Sequence, residues 1–214
     1  MKRHSSLSFV TSLGASVCYL TCALLAFSRY PLPYSPLSNW LSDLGNVDVN
    51  PGGALFYNIG IVTTGVLLVL FFLGLSQWKM RKNRIQNLML FLTQGVGILG
   101  ALAMVMTGLY PINNFALHSF FGSCMNILLG TAFAFSVAAL RYHASCPRWL
   151  LILGAVTTLV DLLYGISKIV STIFVLEWVT IALFICYLVL LGAQTQRLSS
   201  ETMDRSPTTI ANRA

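Results

Sequence analysis

Six apolar stretches, each long enough to cross a bilayer, constrain this chain more than any other feature. They are Leu7–Ser28, Ala54–Leu75, Leu88–Leu109, Ser119–Leu140, Trp149–Val170 and Ile173–Leu191. A helix needs about 20 apolar residues to span the hydrocarbon core. The last two stretches are nearly continuous, and a single helix through both would far exceed the core, so we expect a break near Ser167–Thr172. The pattern predicts an all-α, polytopic membrane protein with six transmembrane helices.

Composition agrees with this class and gives the domain boundaries. Only 9% of the 214 residues are charged and 56% are hydrophobic, whereas soluble domains carry roughly 25% charged residues. An ordinary soluble enzyme is therefore excluded. Residues 1–193 form the predicted transmembrane domain. Residues 194–214 are polar and are expected to be a disordered cytosolic tail.

The basic residues predict the orientation of the chain. Nine of them fall in loops or ends on one side: Lys2, Arg3, Lys79, Arg81, Lys82, Arg84, Arg141, Arg148 and Arg197. Loops rich in Lys and Arg stay in the cytoplasm, so both termini are expected to be cytoplasmic in a multi-pass protein of the cell membrane. Topology thus accounts for the net charge of +7 without a nucleic-acid partner. A cleavable signal peptide is the alternative for the first stretch, but its apolar run exceeds the usual 7–15 residues.

The loop Tyr30–Gly53 is the longest polar interruption in the first two thirds of the chain and is expected outside the cell. Ser35 and Pro36 are typical of a helix start, and Gly45 of a helix end. Apolar residues at helical spacing between them predict a short interfacial helix over Ser35–Gly45, lying on the outer leaflet. The apolar face is Leu37, Trp40, Leu41 and Leu44. The polar face, Ser38, Asn39, Ser42 and Asp43, either forms a site or only meets water.

Four polar residues are expected within the spans: Asp161, Lys168, Glu177 and Asn126. Asp161 is predicted near mid-membrane, where a carboxylate costs at least about 2.5 kcal/mol, so it should face protein or a watery cavity. Lys168 and Glu177 flank the turn between the last two spans and are expected to be close enough for an ion pair. Asn126 either joins helices by a hydrogen bond or belongs to a site.

His118 stands at the outer end of the fourth span, where it can act as an acid, a base or a ligand. A zinc site would need Asp43 and a deep Glu177 or Asp161 beside it, because zinc takes three or four close ligands. We therefore predict no metal and no cofactor. The five cysteines show no pattern of an external disulfide framework. No HExxH, CxxC, P-loop or GxSxG motif occurs.

Several segments resemble a known family. They are YPLPYSPLSNWLSDLGN from Tyr30, FYNIG from Phe56 and GLYPINNFALHSFFG from Gly108. Together with Asn50–Pro51 they resemble the bacterial and archaeal six-span family of domain of unknown function 998, over roughly the first five spans. The motif residues that map here are Ser38, Ser42, Asp43, Gly45, Asn58, Pro111 and His118. More distantly the chain is similar to the Frag/DRAM/Sfk group, which implies a lipid-facing role. The nearer family has no established activity.

Three functions remain open at this point. In the first, His118 is a base oriented by Asp43, Ser42 or Ser38 is the nucleophile or a substrate contact, and a membrane lipid is the substrate. In the second, the protein is a noncatalytic scaffold or lipid-binding module. In the third, Asp161 and Lys168 serve a small-solute transporter. Membrane lipids are the expected partners, and self-association stays open.

Overall fold

The computed structural model describes residues 5–170 and 173–204, with side chains up to residue 201. It contains six long helices: α1 (Leu7–Phe27), α2 (Ala54–Gly74), α3 (Arg84–Leu109), α4 (Phe115–Leu140), α5 (Arg148–Val170) and α6 (Phe174–Asp204). Two short 3₁₀ helices cover Leu41–Gly45 and Leu75–Trp78. All six long helices are apolar enough to cross a membrane, and no strand occurs in the described ranges. The predicted all-α, six-span membrane protein is confirmed.

The helix ends agree with the predicted spans to within four residues everywhere except at the end of α6. That helix continues to Asp204, so residues 194–204 of the expected tail are helical. The physical reason is that polar residues of this last part have partners within the protein. Gln194 donates to the Ser145 carbonyl at 2.7 Å, and Thr195 accepts from the indole of the fully buried Trp78 at 2.8 Å.

A few expectations fall outside the described residues. These are the positions of Lys2 and Arg3, the two residues Ser171 and Thr172 of the expected break, and residues 205–214 of the tail. The break itself is confirmed as the separation of two helices, because α5 ends at Val170 and α6 begins at Phe174. Which face of the membrane the termini occupy stays a prediction from the charge pattern.

The helices form a closed ring in chain order. Each packs against the next, and α6 returns to α1. Small residues allow the closest approaches, as expected for helices in a membrane. A Cβ on Gly65 of α2 would lie 2.8 Å from the Ala101 carbonyl oxygen of α3. The ring leaves a space along its axis, and that space holds the candidate site.

The predicted interfacial helix is wrong over most of its length. Only Leu41–Gly45 is helical, as a five-residue 3₁₀ helix, and Ser35–Asn39 is a turn closed by hydrogen bonds to the Ser35 carbonyl. In this turn the Ser35 hydroxyl accepts from the Leu37 amide and the Asn39 side chain folds back to accept from the Ser35 amide, and such local side-chain bonds compete with a continued helix. Leu37 is therefore 78% exposed, whereas Leu41 and Leu44 are buried in the bundle.

Candidate functional site

Residues 34–46, here called the lid, cover one end of the helix ring, and a cavity of about 590 Å³ lies beneath them. Its wall runs along α2 from Tyr57 to Phe72 and along α6 from Glu177 to Leu188. At 1.5 Å per residue these stretches measure about 22 Å and about 16 Å. One leaflet contributes half of a hydrocarbon core of about 30 Å. The cavity is therefore at least as deep as the acyl layer of one leaflet, which is about 15 Å.

The two ends of the cavity differ in polarity. The mouth, next to the lid, is lined by polar and aromatic side chains: Trp40, Ser42, Tyr57, Asn58, His118, Ser119, Tyr164, Lys168 and Glu177. The floor, deeper in the ring, is lined by apolar ones: Leu68, Phe72, Leu129, Phe133, Phe184, Ile185 and Leu188. Ligand sites combine a mainly apolar wall with a few placed polar groups, and this cavity separates the two kinds along its axis.

Hydrogen bonds from α6 hold the lid in place. The Glu177 carboxylate accepts from the buried Leu41 amide at 2.7 Å, and the Trp178 indole donates to the Asn39 carbonyl at 3.1 Å. Within the lid, the Tyr34 hydroxyl donates to the Trp40 carbonyl at 2.7 Å. Burial raises the pKa of Tyr34, so this hydroxyl keeps its proton. The lid is thus fixed to the start of α6.

Two motif residues of the resemblance meet where the lid ends. The Asn58 amide donates to the Gly45 carbonyl at 3.0 Å. A Cβ on Gly45 would lie 2.8 Å from the Tyr57 ring, so the close approach requires a residue without a side chain. Asn50 adds bonds to the Leu44 carbonyl at 2.9 Å and the Ala26 carbonyl at 3.1 Å. These contacts give the motif residues Gly45 and Asn58 a structural role beneath the mouth.

Asp43 caps the short helix of the lid. Its carboxylate accepts from the Trp40 amide at 3.0 Å. Partial burial raises the pKa of Asp43, and the hydrogen bonds from Trp40 and Asn39 and the charge of His118 oppose that rise. Among the described residues, no hydrogen bond joins Asp43 to His118. The expectation that Asp43 orients His118 is not met.

The Tyr110 carbonyl orients His118 instead. It lies 3.0 Å from Nδ1 of the ring. A carbonyl oxygen can only accept, so Nδ1 carries the proton in the neutral ring, and the Thr107 backbone is a second partner of this ring. His118 lines the mouth together with Ser42. Ser38 is exposed and bonds to Asn39 at 2.9 Å, so only one of the two candidate nucleophiles lies at the cavity.

Lys168 and Glu177 both line the mouth, but the expected ion pair is absent in the part of the chain that the structure describes. The Lys168 ammonium lies 4.7 Å from the centre of the Tyr164 ring and 5.9 Å from that of Trp40. These are cation–π distances. The two charges attract each other at longer range, and the direct partner of the Glu177 carboxylate is the lid amide.

The other two intramembrane polar residues, Asn126 and Asp161, differ in their position relative to the cavity. Asn126 lines the cavity two turns below His118 on α4. Asp161 is 7% exposed and faces protein, as expected, with its carboxylate against Gly130 of α4. Its Oδ1 atom has no hydrogen-bond partner. Asp161 does not line the cavity, but it interacts electrostatically with Lys168 at the mouth.

Gly122 marks the neck between mouth and floor, one turn below His118. It is buried, yet a Cβ placed on it would meet no heavy atom within 4 Å. Buried residues without neighbours face empty space, and Gly122 lines the cavity. A larger side chain at this position would therefore enter the cavity without striking the surrounding helices.

Sequence reasoning missed several residues of the site. Tyr19 and Tyr57 are buried in the wall, with rings 6.3 Å apart, and the Tyr19 hydroxyl has no hydrogen-bond partner. Asn113 fastens the second loop to the first by accepting from the Val47 amide at 2.8 Å and donating to Asn46 at 3.0 Å. It also contacts Asp48. The available signals were tyrosines inside the spans and asparagines in both loops.

The part of the chain that the structure describes contains no set of ligands for the alternative zinc site. No three His, Cys, Asp or Glu side chains are grouped there closely enough for a metal ion. The carboxylates of Asp43 and Glu177, the partners that such a site would need, each accept from a backbone amide.

Comparison with known proteins gives a family. A family model described as "Protein of unknown function (DUF998)" matches residues 13–195. That range begins within α1 and ends within α6, and it includes α2 to α5, the lid and the cavity wall. Searches of curated proteins and of solved structures gave no match.

Proposed function

The chain belongs to the DUF998 family, and from that premise we propose that it binds a membrane lipid in the cavity beneath the lid. The acyl chain lies along the apolar floor, and the polar group lies at the mouth. The observation that carries the proposal is the polarity change along a cavity at least one leaflet deep, from Lys168 and Glu177 to Phe133 and Leu188.

The two ends of the cavity contribute differently to binding. An acyl chain that enters from the bilayer exchanges one apolar medium for another, so the hydrophobic effect supplies little driving force. The floor therefore acts through its shape and packing. Selectivity has to come from the mouth, where polar groups near a membrane interface gain strength from low dielectric surroundings.

Two exposed residues of the wall support entry from the side. Phe115 at the start of α4 is 71% exposed and Ile169 near the end of α5 is 87% exposed, and both line the cavity. We place the entrance for a lipid between these helix ends, because exposed side chains there also belong to the cavity wall. A lipid can pass through it without removal of the lid.

Plugging the cavity tests the proposal. Gly122→Leu should place its side chain in the neck without a clash, and leucine favours a helix interior over glycine by roughly 0.5–1 kcal/mol. Gly95→Leu is the matched control, because Gly95 is exposed on α3 and also has open space around its Cα. The measurement is the amount of lipid that co-purifies per protein, determined by mass spectrometry of extracts.

We expect wild type and Gly95→Leu to retain the same lipid at close to one molecule per chain, and Gly122→Leu to lose it. Equal amounts of lipid in all three proteins would refute the proposal. Melting temperatures of the three proteins, measured in the same detergent, establish that the loss does not come from unfolding.

Lipid ester chemistry is the second candidate, and the orientation of His118 favours it. A base needs a lone pair directed at the proton it takes, and the bond from Nδ1 to the Tyr110 carbonyl puts the lone pair of the neutral ring on Nε2. Ser42 lines the same mouth. Lipid extracts from cells that express wild type or His118→Ala should then differ in one product. If His118→Ala folds and is expressed but the extracts are identical, ester chemistry is refuted and lipid binding remains as the proposed function.

A further inference from the structure

Lys168 is the only lysine or arginine among the described residues of the cavity wall. A lysine near the end of a transmembrane helix usually extends its ammonium away from the apolar region. Here the ammonium lies over the rings of Trp40 and Tyr164, which also line the mouth. The charge of Lys168 is therefore directed to the mouth of the cavity.

No described carboxylate forms a direct ion pair with this ammonium, although Glu177 and Asp161 attract its charge from a longer distance. Lys168 has no hydrogen bond and no ion pair with the described part of the chain. Glu177 also lines the wall, but this residue is only 8% exposed and its carboxylate accepts from the Leu41 amide. The Ser42 amide also faces that carboxylate. A cation beside an apolar cavity is strongly stabilised by an anion.

The wall of α4 opposite the lid offers neutral donors. Ser119, Ser123 and Asn126 line the cavity at helical spacing, so they share one face. Hydroxyl and amide groups can donate to the oxygen atoms of an anion. Among the described residues, the mouth thus combines one positive charge that lacks a direct ion pair with several neutral donors.

From this geometry we infer that the lipid bound in the cavity carries an anionic group, a phosphate or a carboxylate, that pairs with Lys168. The inference rests on the proposed lipid binding and names the class of ligand. A neutral lipid of the same chain length would leave Lys168 without a direct ion pair, so it should bind more weakly.

A set of probes with one shared chain tests the inference. Oleate carries a carboxylate, 1-oleoyl lysophosphatidate carries a phosphate, and 1-oleoyl glycerol is neutral. Binding to the detergent-solubilised protein is titrated by native mass spectrometry. A charged hydrogen bond corresponds to about a tenfold change in affinity or more. We therefore expect at least one anionic probe to bind about tenfold more tightly than the neutral one.

Three variants assign that preference to its residue. Lys168→Gln should remove about tenfold of the affinity for the anionic probe and leave 1-oleoyl glycerol unchanged, whereas Lys168→Arg should restore the preference. Lys82→Gln removes a positive charge from the exposed loop between α2 and α3, far from the cavity wall, and should change neither. An unchanged preference in Lys168→Gln would overturn the inference, as would equal binding of all three probes by wild type.

Further arms separate this inference from the proposed function and from a free-anion site. If Gly122→Leu abolishes binding of every probe while Lys168→Gln has no effect, lipid binding stands and the anionic assignment fails. If no probe binds to wild type, both fail.

Acetate and inorganic phosphate lack the chain and should not compete at concentrations that saturate the anionic lipid. Competition at those concentrations would show a free-anion site and overturn the lipid assignment.

Discussion

Replacing Glu177 by alanine should release the lid while the helix ring stays folded. The Glu177 carboxylate accepts a 2.7 Å hydrogen bond from the amide of Leu41, a residue only 5% exposed. Alanine leaves this amide without its acceptor. A hydrogen bond to a charged group contributes about 1.5–3 kcal/mol. Since 1.4 kcal/mol corresponds to a factor of ten, the lid should open about 10 to 150 times more often.

The lid has a second attachment that provides a graded comparison. Trp178→Phe removes the 3.1 Å bond from the indole to the Asn39 carbonyl. A bond between neutral groups contributes about 0.5–1.5 kcal/mol, so opening should rise only about 2- to 12-fold. Glu177→Gln keeps an acceptor oxygen without the charge and should fall between wild type and Glu177→Ala.

Hydrogen–deuterium exchange of detergent-solubilised protein measures this opening. Peptides from the lid should exchange faster in the order Glu177→Ala, Glu177→Gln, wild type, while peptides from α3 stay unchanged as an internal reference. Unchanged exchange of the lid in Glu177→Ala would refute the assigned role of this carboxylate. A larger effect of Trp178→Phe than of Glu177→Ala would refute the ranking.

Three further predictions concern the rest of the chain. Trp78→Phe should lower the free energy of unfolding by about 1–3 kcal/mol, because it removes the buried bond to Thr195 and leaves a gap, as thermal unfolding would reveal. The raised pKa of Asp43 means that folding favours its protonated form, so its contribution to stability is present at low pH and is lost as the pH rises through the folded-state pKa. Asp43→Asn should abolish that part of the pH dependence of the melting temperature. Burial raises the pKa of Cys146 to about 11, so alkylation of this thiol should be slow at pH 7 and should accelerate about tenfold per pH unit until that value.

The helices could be predicted closely because their determinants are local. A helix in a bilayer must satisfy its own backbone and needs only a sufficient apolar length. Residues 54 and 109 were placed correctly as helix ends for this reason. The end of α6 was missed because Gln194 and Thr195 look like tail residues until their partners on other segments are known.

The candidate site was predicted as a set of residues but not as an arrangement. Ser42, His118, Lys168, Glu177 and Asn126 do meet at one cavity. Their partners differ from those expected, because each polar group takes the nearest available donor or acceptor. Backbone groups provide these partners for Asp43, His118 and Glu177, and backbone groups carry no signature in the sequence.

The sequence by itself determined the class, the number of helices and most of their ends, since hydrophobic length acts along the chain. Only the tertiary structure decided the conformation of the lid, which of the two serines reaches the cavity, and the absence of a direct ion pair to Lys168 among the described residues. The cavity itself belongs to this second group. It arises from the closure of α6 onto α1, and a space between six helices is a property of their packing that no single segment contains.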